Sequence, residues 1–195
     1  MNILKPTLLA ALLLLGLTNA RALEIAGQTV PATAEVAGKQ LVLNGAGKRV
    51  KFAIADVYVA ALYTTAKTTD AAAIITPTPS APRRIELRML RTVGASTMFD
   101  SFKDGMEANI AGGEAGMKQY APQIAALSKI FDDAKSAAKG DAIQIDFIPA
   151  QGTLITIRGK PHPVIPGDDF AAAMLSIWLG KNPAQDSLKK KLLGE

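Results

Sequence analysis

One arginine stands apart from the other charged residues of this sequence. Arg49 follows Asn44-Gly45-Ala46-Gly47-Lys48 and leads into a long, nearly uncharged run from Val50 to Tyr63 that contains Ala53, Tyr58 and Tyr63. A guanidinium held on a rigid strand beside apolar walls presents a planar fork of donors. In a partly desolvated cleft that fork makes two charge-assisted hydrogen bonds to a carboxylate. Anion binding is therefore the chemistry that this segment can perform. Tyr58 and Tyr63 are the candidate helper hydroxyls, and Tyr63 shares a face with Arg49 only if no bulge intervenes. The plainer readings are a strand-end arginine, or one paired with Asp56, and tyrosines that pack on a sheet.

Other chemistries lack their residues. The chain has no cysteine, which excludes disulfides, thiolate metal sites and thiol nucleophiles. Its one histidine, His162, lies between Pro161 and Pro163 without a serine elbow or a second ligand, and reads as solvated. Gly45-Ala46-Gly47 lacks the third glycine and following helix of a dinucleotide site, and no Gly-Lys-Ser/Thr phosphate loop occurs. Asp132-Asp133 and Asp168-Asp169 are adjacent pairs that diverge on a helix, so neither makes a two-carboxylate acid/base site. No cofactor and no metal are expected. Arg83, Arg84, Arg88 and Arg91 can gather on one edge, but few aromatics and a mild charge argue against nucleic acid.

The elements that must position Arg49 are strands. The two glycines permit φ > 0, so the expectation is a tight reversal there that brings Arg49 to the start of the next strand, with residues 40–49 and 50–64 paired. Leu23 to Pro31 reads as an edge hairpin. A short helix opens at Thr69 or Asp70 and closes at Pro77-Thr78-Pro79. Arg84 to Arg91 alternates polar and apolar, as a strand with one wet face does. Phe99, Phe102, Met106 and Ile110 recur at helical spacing from Ser96 to Ala111, until Gly112-Gly113. A second helix is expected over 116–138. Ile143 to Phe147 and Leu154 to Arg158 form a hairpin around Pro149-Ala150-Gln151-Gly152.

Two C-terminal helices complete the pattern. Asp168 and Asp169 suit a helix N-terminus, and Phe170, Met174, Ile177 and Trp178 form its apolar stripe. Asn182 then caps a last helix with Pro183 at its first position, Gln185 near the third, and Lys189 to Lys191 at its carboxyl end. The total is six or seven strands, mostly antiparallel, with helices on one side: an α+β two-layer domain.

The N-terminus addresses the compartment. Lys5, the apolar run Leu8 to Leu17, and Ala20-Arg21-Ala22 read as a secretory signal peptide over residues 1–22. Ten apolar residues fall short of the roughly 20 that span a bilayer, so no stable membrane span is expected after cleavage. The expected product is a single domain, residues 23–195, periplasmic or secreted. Cleavage removes Lys5 and Arg21 and leaves 20 bases against 17 acids, a net charge of +3. Without disulfides such a domain depends on its hydrophobic core.

The segment Gly45-x-Gly47-x-Arg49, with Lys51-Phe52 and Val57-Tyr58 behind it, resembles the chalcone isomerase superfamily, in which it lines the ligand cleft. Gly140 to Leu154 is similar to the family's hairpin, and so is the tail Ile177-Trp178-Leu179-Gly180 followed by Leu188-Lys189. The resemblance covers roughly residues 23–194 and is nearest to the bacterial exported chalcone-isomerase-like group. It implies an open-faced β-sandwich, a mostly antiparallel sheet with a layer of helices on one side. It also implies a cleft bordered by Arg49, Ala53, Tyr58, Tyr63, Phe102, Met106, Asn109, Ile177 and Trp178.

The departures bear on activity. Plant enzymes of the family close a ring by adding a phenolate to an enone, using an arginine together with hydroxyls that orient water and substrate. Arg49 matches the arginine, but the strand threonine falls on Ala53 and the helix threonine on Ile177, with Trp178 beside it. Near residues 98–102 the chain offers Met98, Phe99 and Phe102 where a tyrosine belongs. For the helix asparagine two positions compete, Asn109 and, on a gap-free reading, Gly105. One oriented donor is worth about 3 kcal/mol of transition-state stabilisation, so several losses remove efficient catalysis. Three functions remain open. One is a non-catalytic protein that holds a small apolar anion such as a fatty acid, with Arg49 at the head group. The second is an intramolecular lyase or isomerase of the chalcone type, and the third is an interaction module whose cleft is filled by its own side chains.

Overall fold

The structure is a computed structural model, and it describes residues 22–51 and 54–195. Residues 1–21 of the expected signal peptide, and Ala53 of the expected cleft, lie outside the described residues. Strands β1 (Leu23–Ile25) and β2 (Gln28–Val30) turn on Ala26 and Gly27, both at positive φ as a two-residue hairpin demands. The main sheet contains β3 (Thr33–Val36), β4 (Lys39–Lys51), β5 (Ala55–Thr64), β6 (Arg83–Met89), β9 (Ala142–Ile148), β10 (Gly152–Ile157) and β11 (Lys160–Pro161). Its order is β11-β10-β9-β6-β5-β4-β3, with every pair antiparallel. A small ribbon pairs β7 (Val93–Gly94) with β8 (Ser136–Ala137).

The helices are α1 (Ala71–Ile75), α2 (Ala95–Glu107), α3 (Gly113–Met117), α4 (Ala121–Ala134), α5 (Asp168–Leu179) and α6 (Asp186–Leu192). They share one face of the sheet. Ala60 and Leu62 of β5, Ile85, Leu87 and Met89 of β6, and Ile143, Ile145 and Phe147 of β9 point into a core shared with these helices. The residues between them, Val59, Ala61 and Tyr63, point the other way, under β1, β2 and β3 with Val30, Val36 and Leu41. Period-two alternation thus feeds two cores from one sheet. The expected α+β architecture, an antiparallel sheet with helices on one side, is the architecture observed.

Four local expectations need correction. The chain does not reverse at Gly45 and Gly47; β4 runs straight through them, and the reversal falls after Lys51, whose carbonyl takes the N–H of Ile54 at 3.4 Å. The helix expected over 116–138 is broken at Tyr120, because Pro122 fits only the first turn of a new helix, α4, which ends at Ala134. Asn182 does not cap the last helix. The chain is extended at Gln185, the actual cap, and Ala184 N–H is held by the Ile177 carbonyl at 2.7 Å. The face of β6 expected to be wet carries Glu86 and Arg84 largely buried, the latter doubly bonded to Asp146 with its Nη2 at 2.7 Å. Asp70 caps α1 as expected, accepting from Ala72 and Ala73 at 2.9 and 3.1 Å.

Candidate functional site

Gly45, Gly47 and Arg49 lie at period two on one face of β4, opposite Leu62, Ala60 and Tyr58 of β5, and that face looks toward the helices. The glycines are there for room. A Cβ at Gly45 would stand 2.1 Å from the Lys191 carbonyl oxygen, and one at Gly47 would stand 2.8 Å from Lys191 Cβ, because α6 lies directly on the bare strand. Beyond the helix, Arg49 is the next position on that face, and the ladder slips between Arg49 and Val50. Such a bulge re-aims the side chains around it.

In front of Arg49 lies a cleft of about 90 Å³ walled by Tyr58, Phe102 and Ser101, and by Ile177 and Trp178 of α5. Phe102 meets the Trp178 ring edge-on at 5.5 Å, which closes the inner end. The Trp178 indole N–H donates to the Tyr58 hydroxyl at 3.1 Å, with the Arg49 guanidinium beside the same oxygen. Burial raises the Tyr58 phenol above its ordinary value, and Trp178 and Arg49 offset only part of that. Tyr58 is therefore a neutral phenol at physiological pH. Its O–H has no acceptor among the described residues, and a guanidinium offers none.

Arg49 itself is weakly engaged. Its Nη1 makes two contacts of 3.4 Å, to the Val50 carbonyl and to Gln185 Oε1, and that Gln185 oxygen already accepts the Val50 N–H at 2.9 Å. Asp56 pairs with Lys48 at 2.9 Å, and among the described residues no carboxylate forms an ion pair with Arg49. Arg49, with spare donors, and the Tyr58 O–H thus border one apolar hollow, and among the described residues no carboxylate reaches either. Lys51, Val57 and Ser101 also line a second chamber, of about 330 Å³, whose walls include Arg91 and Thr92.

The cleft gathers Arg49, Tyr58, Phe102, Ile177 and Trp178 of the expected residues, and three others stand elsewhere. Tyr63 lies on the opposite face of the sheet, where its hydroxyl donates to the Pro31 carbonyl at 3.0 Å, because five residues separate it from Tyr58. Met106 is fully buried in the helix-side core and does not line the cleft. Asn109 ties the end of α2 to the loop after α5: its amide donates to the Gly105 and Asn182 carbonyls, and its oxygen accepts the Asn182 N–H, each at 2.9 Å. It borders a larger groove of about 700 Å³, walled mainly by small side chains of α1, α5 and the segment 108–111 that follows α2. Sequence reasoning missed Ser101 and Lys51 in the cleft, Arg91 in the second chamber, and Gln185 behind Arg49; the Gln185 contact with Val50 spans 135 positions and leaves no local signal. Among the described residues no three metal-ligand side chains cluster, and no helix is long and apolar enough to cross a membrane.

Two measurements follow from this geometry. Asn109→Ala leaves the exposed Asn182 backbone groups to water and is expected to cost about 0.5–1.5 kcal/mol in denaturant titrations, with ligand affinity unchanged. The second concerns alkaline pH. Tyr58 and Tyr63 both have raised pKa values, mainly through burial, so the folded state keeps those protons after the unfolded chain has released them. Their contribution is fully present below the ordinary phenol value of 10.0 and is lost as pH rises through the folded values. Melting temperature should therefore fall above pH of about 10, and Tyr58→Phe should flatten that fall.

The family model described as chalcone isomerase-like matches residues 22–194. Among solved structures, the chain is similar to the crystal structure of a fatty-acid binding protein of Arabidopsis thaliana, AtFAP1. The two share 13% identity over 86% of this chain and 92% of that one, with a TM-score of 0.64, a likeness of fold. Among curated proteins none matches. A family model that spans the sheet, the helices and both halves of the cleft places the sequence: the chain belongs to the chalcone isomerase-like family.

Proposed function

We propose that this protein is a non-catalytic binder of a small apolar carboxylate, with the carboxylate on Arg49 and Tyr58 and the hydrocarbon in the adjoining chamber. One observation carries the reading: an arginine with only two long contacts and a neutral phenol O–H border a hollow walled by Phe102, Ile177 and Trp178, and among the described residues no carboxylate pairs with Arg49 and no acceptor takes the Tyr58 O–H. A carboxylate supplies two acceptor oxygens and the missing charge. The two chambers, about 90 and 330 Å³, fall at the low end of the roughly 300–1,000 Å³ of small-molecule sites, which favours a short acyl chain or a compact aryl acid. The printed title of the Arabidopsis protein, a fatty-acid binder, agrees with this ligand class. The open hollow argues against a cleft filled by its own side chains. Residues 1–22 are proposed to direct export, which puts the mature protein in the periplasm or outside the cell.

The test is direct. The purified mature protein is extracted with organic solvent and the extract analysed by mass spectrometry, alongside calorimetric titration with fatty acids. A co-purifying carboxylic acid is the expected result; an empty extract with no heat of binding would discard the proposal. Tyr58 also keeps the isomerase reading in play, since it sets a proton donor beside Arg49. Incubation with chalcones settles that reading: turnover of the enone absorbance, abolished in Arg49→Ala, would make the protein an enzyme.

A further inference from the structure

The second chamber carries charge out of proportion to a single carboxylate. Lys51 lines both chambers, Arg91 and Thr92 stand at the far side of the outer one, and Thr97 and Ser101 of α2 add hydroxyls along the way. Counted from the inner end, the lining presents Arg49, Lys51 and Arg91 and not one acidic side chain. Asp56 is held by Lys48 at 2.9 Å, and Asp141 by Arg158 at 3.1 Å. Arg91 is exposed and makes no hydrogen bond or ion pair among the described residues, although its neighbours are fixed. Leu90 N–H bonds the Val57 carbonyl at 2.9 Å, and Thr92 Oγ1 takes the Lys139 N–H at 3.4 Å. A guanidinium on an anchored backbone, lining a chamber that shares Lys51, Val57 and Ser101 with the one that holds Arg49, is arranged to meet the second end of a ligand.

We propose that the ligand is an apolar dianion with an acidic group at each end, of the α,ω-dicarboxylate class. Its inner carboxylate sits on Arg49 and Tyr58, and its outer one on Arg91 beside Lys51. This rests on the carboxylate-binding reading above and adds what that reading leaves open, the chemistry of the ligand's far end. Val57, Ala55 and Val93 line the passage between the two ends and give the methylene chain an apolar wall. Arg91 is the residue that separates diacid from monoacid.

Calorimetry on the mature protein at low ionic strength tests this with octanoate, octanedioate and octyl phosphate as probes. Octanedioate is expected to bind about tenfold more tightly than octanoate, the worth of one charge-assisted contact at an exposed site. Added salt should shrink the preference, since the outer contact is screened. Arg91→Gln should abolish the preference while leaving octanoate affinity as it was, and Arg49→Ala should weaken both acids together. Equal affinity for the two acids would overturn the diacid proposal and leave carboxylate binding standing. A tighter fit for octyl phosphate than for octanedioate would also overturn it, because two charges on one head would then suffice. Failure of all three probes to bind, with an empty solvent extract, would remove both readings at once.

Discussion

Arg49→Ala is expected to weaken carboxylate binding about thirtyfold, the equivalent of about 2 kcal/mol for a hydrogen bond to a charged group. The figure is held below that of a fully buried pair because Arg49 is only part-buried. Fold stability should hardly move. The guanidinium contributes two long contacts to the protein itself, so the melting temperature is expected to stay within a few degrees. That combination, lost affinity with intact stability, distinguishes a binding arginine from a structural one. Arg49→Lys sharpens the test, since it keeps the charge and removes the planar fork. An intermediate affinity is expected by titration calorimetry, and wild-type affinity in Arg49→Ala would contradict the site.

Gly45→Ala is expected to destabilise the fold strongly. The added carbon would lie 2.1 Å from the Lys191 carbonyl oxygen and 2.7 Å from that of Leu192, which are backbone atoms that move only with the whole of α6. Overpacking of this kind costs about 3 kcal/mol, or a fall in melting temperature of about 6–12 °C for a chain of this size. Gly47→Ala provides the control. Its Cβ would meet Leu188 Cδ1 at 3.0 Å, a side-chain end that can rotate away, and Lys191 Cβ at 2.8 Å, which yields only with the α6 backbone, so a smaller loss of about 2 kcal/mol is expected. Calorimetric melts compare the two directly. Displacing α6 also moves its cap, Gln185, off the Val50 N–H, so Gly45→Ala should weaken ligand binding as well as folding. Unimpaired affinity would mean that α6 does not hold the cleft.

Much of the fold was legible because its signals are local. Ala26-Gly27 marks a hairpin, Asp70 caps a helix, and the alternation of β9 separates core from outer face within seven residues. The misreadings share a cause. Glycine in a sequence indicates either a permitted backbone angle or a place where something comes close, and at Gly45 and Gly47 the something is a helix about 140 residues further on. Asn182 had the composition of a cap, but Asn109 had already claimed its backbone. For the site, family resemblance located Arg49, Tyr58, Phe102, Ile177 and Trp178 in one cleft; it also drew in Tyr63, which strand parity turns to the other face.

By itself, the sequence determined the class of fold and the single arginine worth following, since both are written in residue types at spacings of two and four. Whether that arginine is free was decided only in three dimensions. The outcome depended on Lys48 taking Asp56, on Trp178 occupying the Tyr58 oxygen, and on α6 covering the glycines but stopping before Arg49. Those are contacts between distant segments, and side-chain chemistry encodes the capacity to form them without naming the partner.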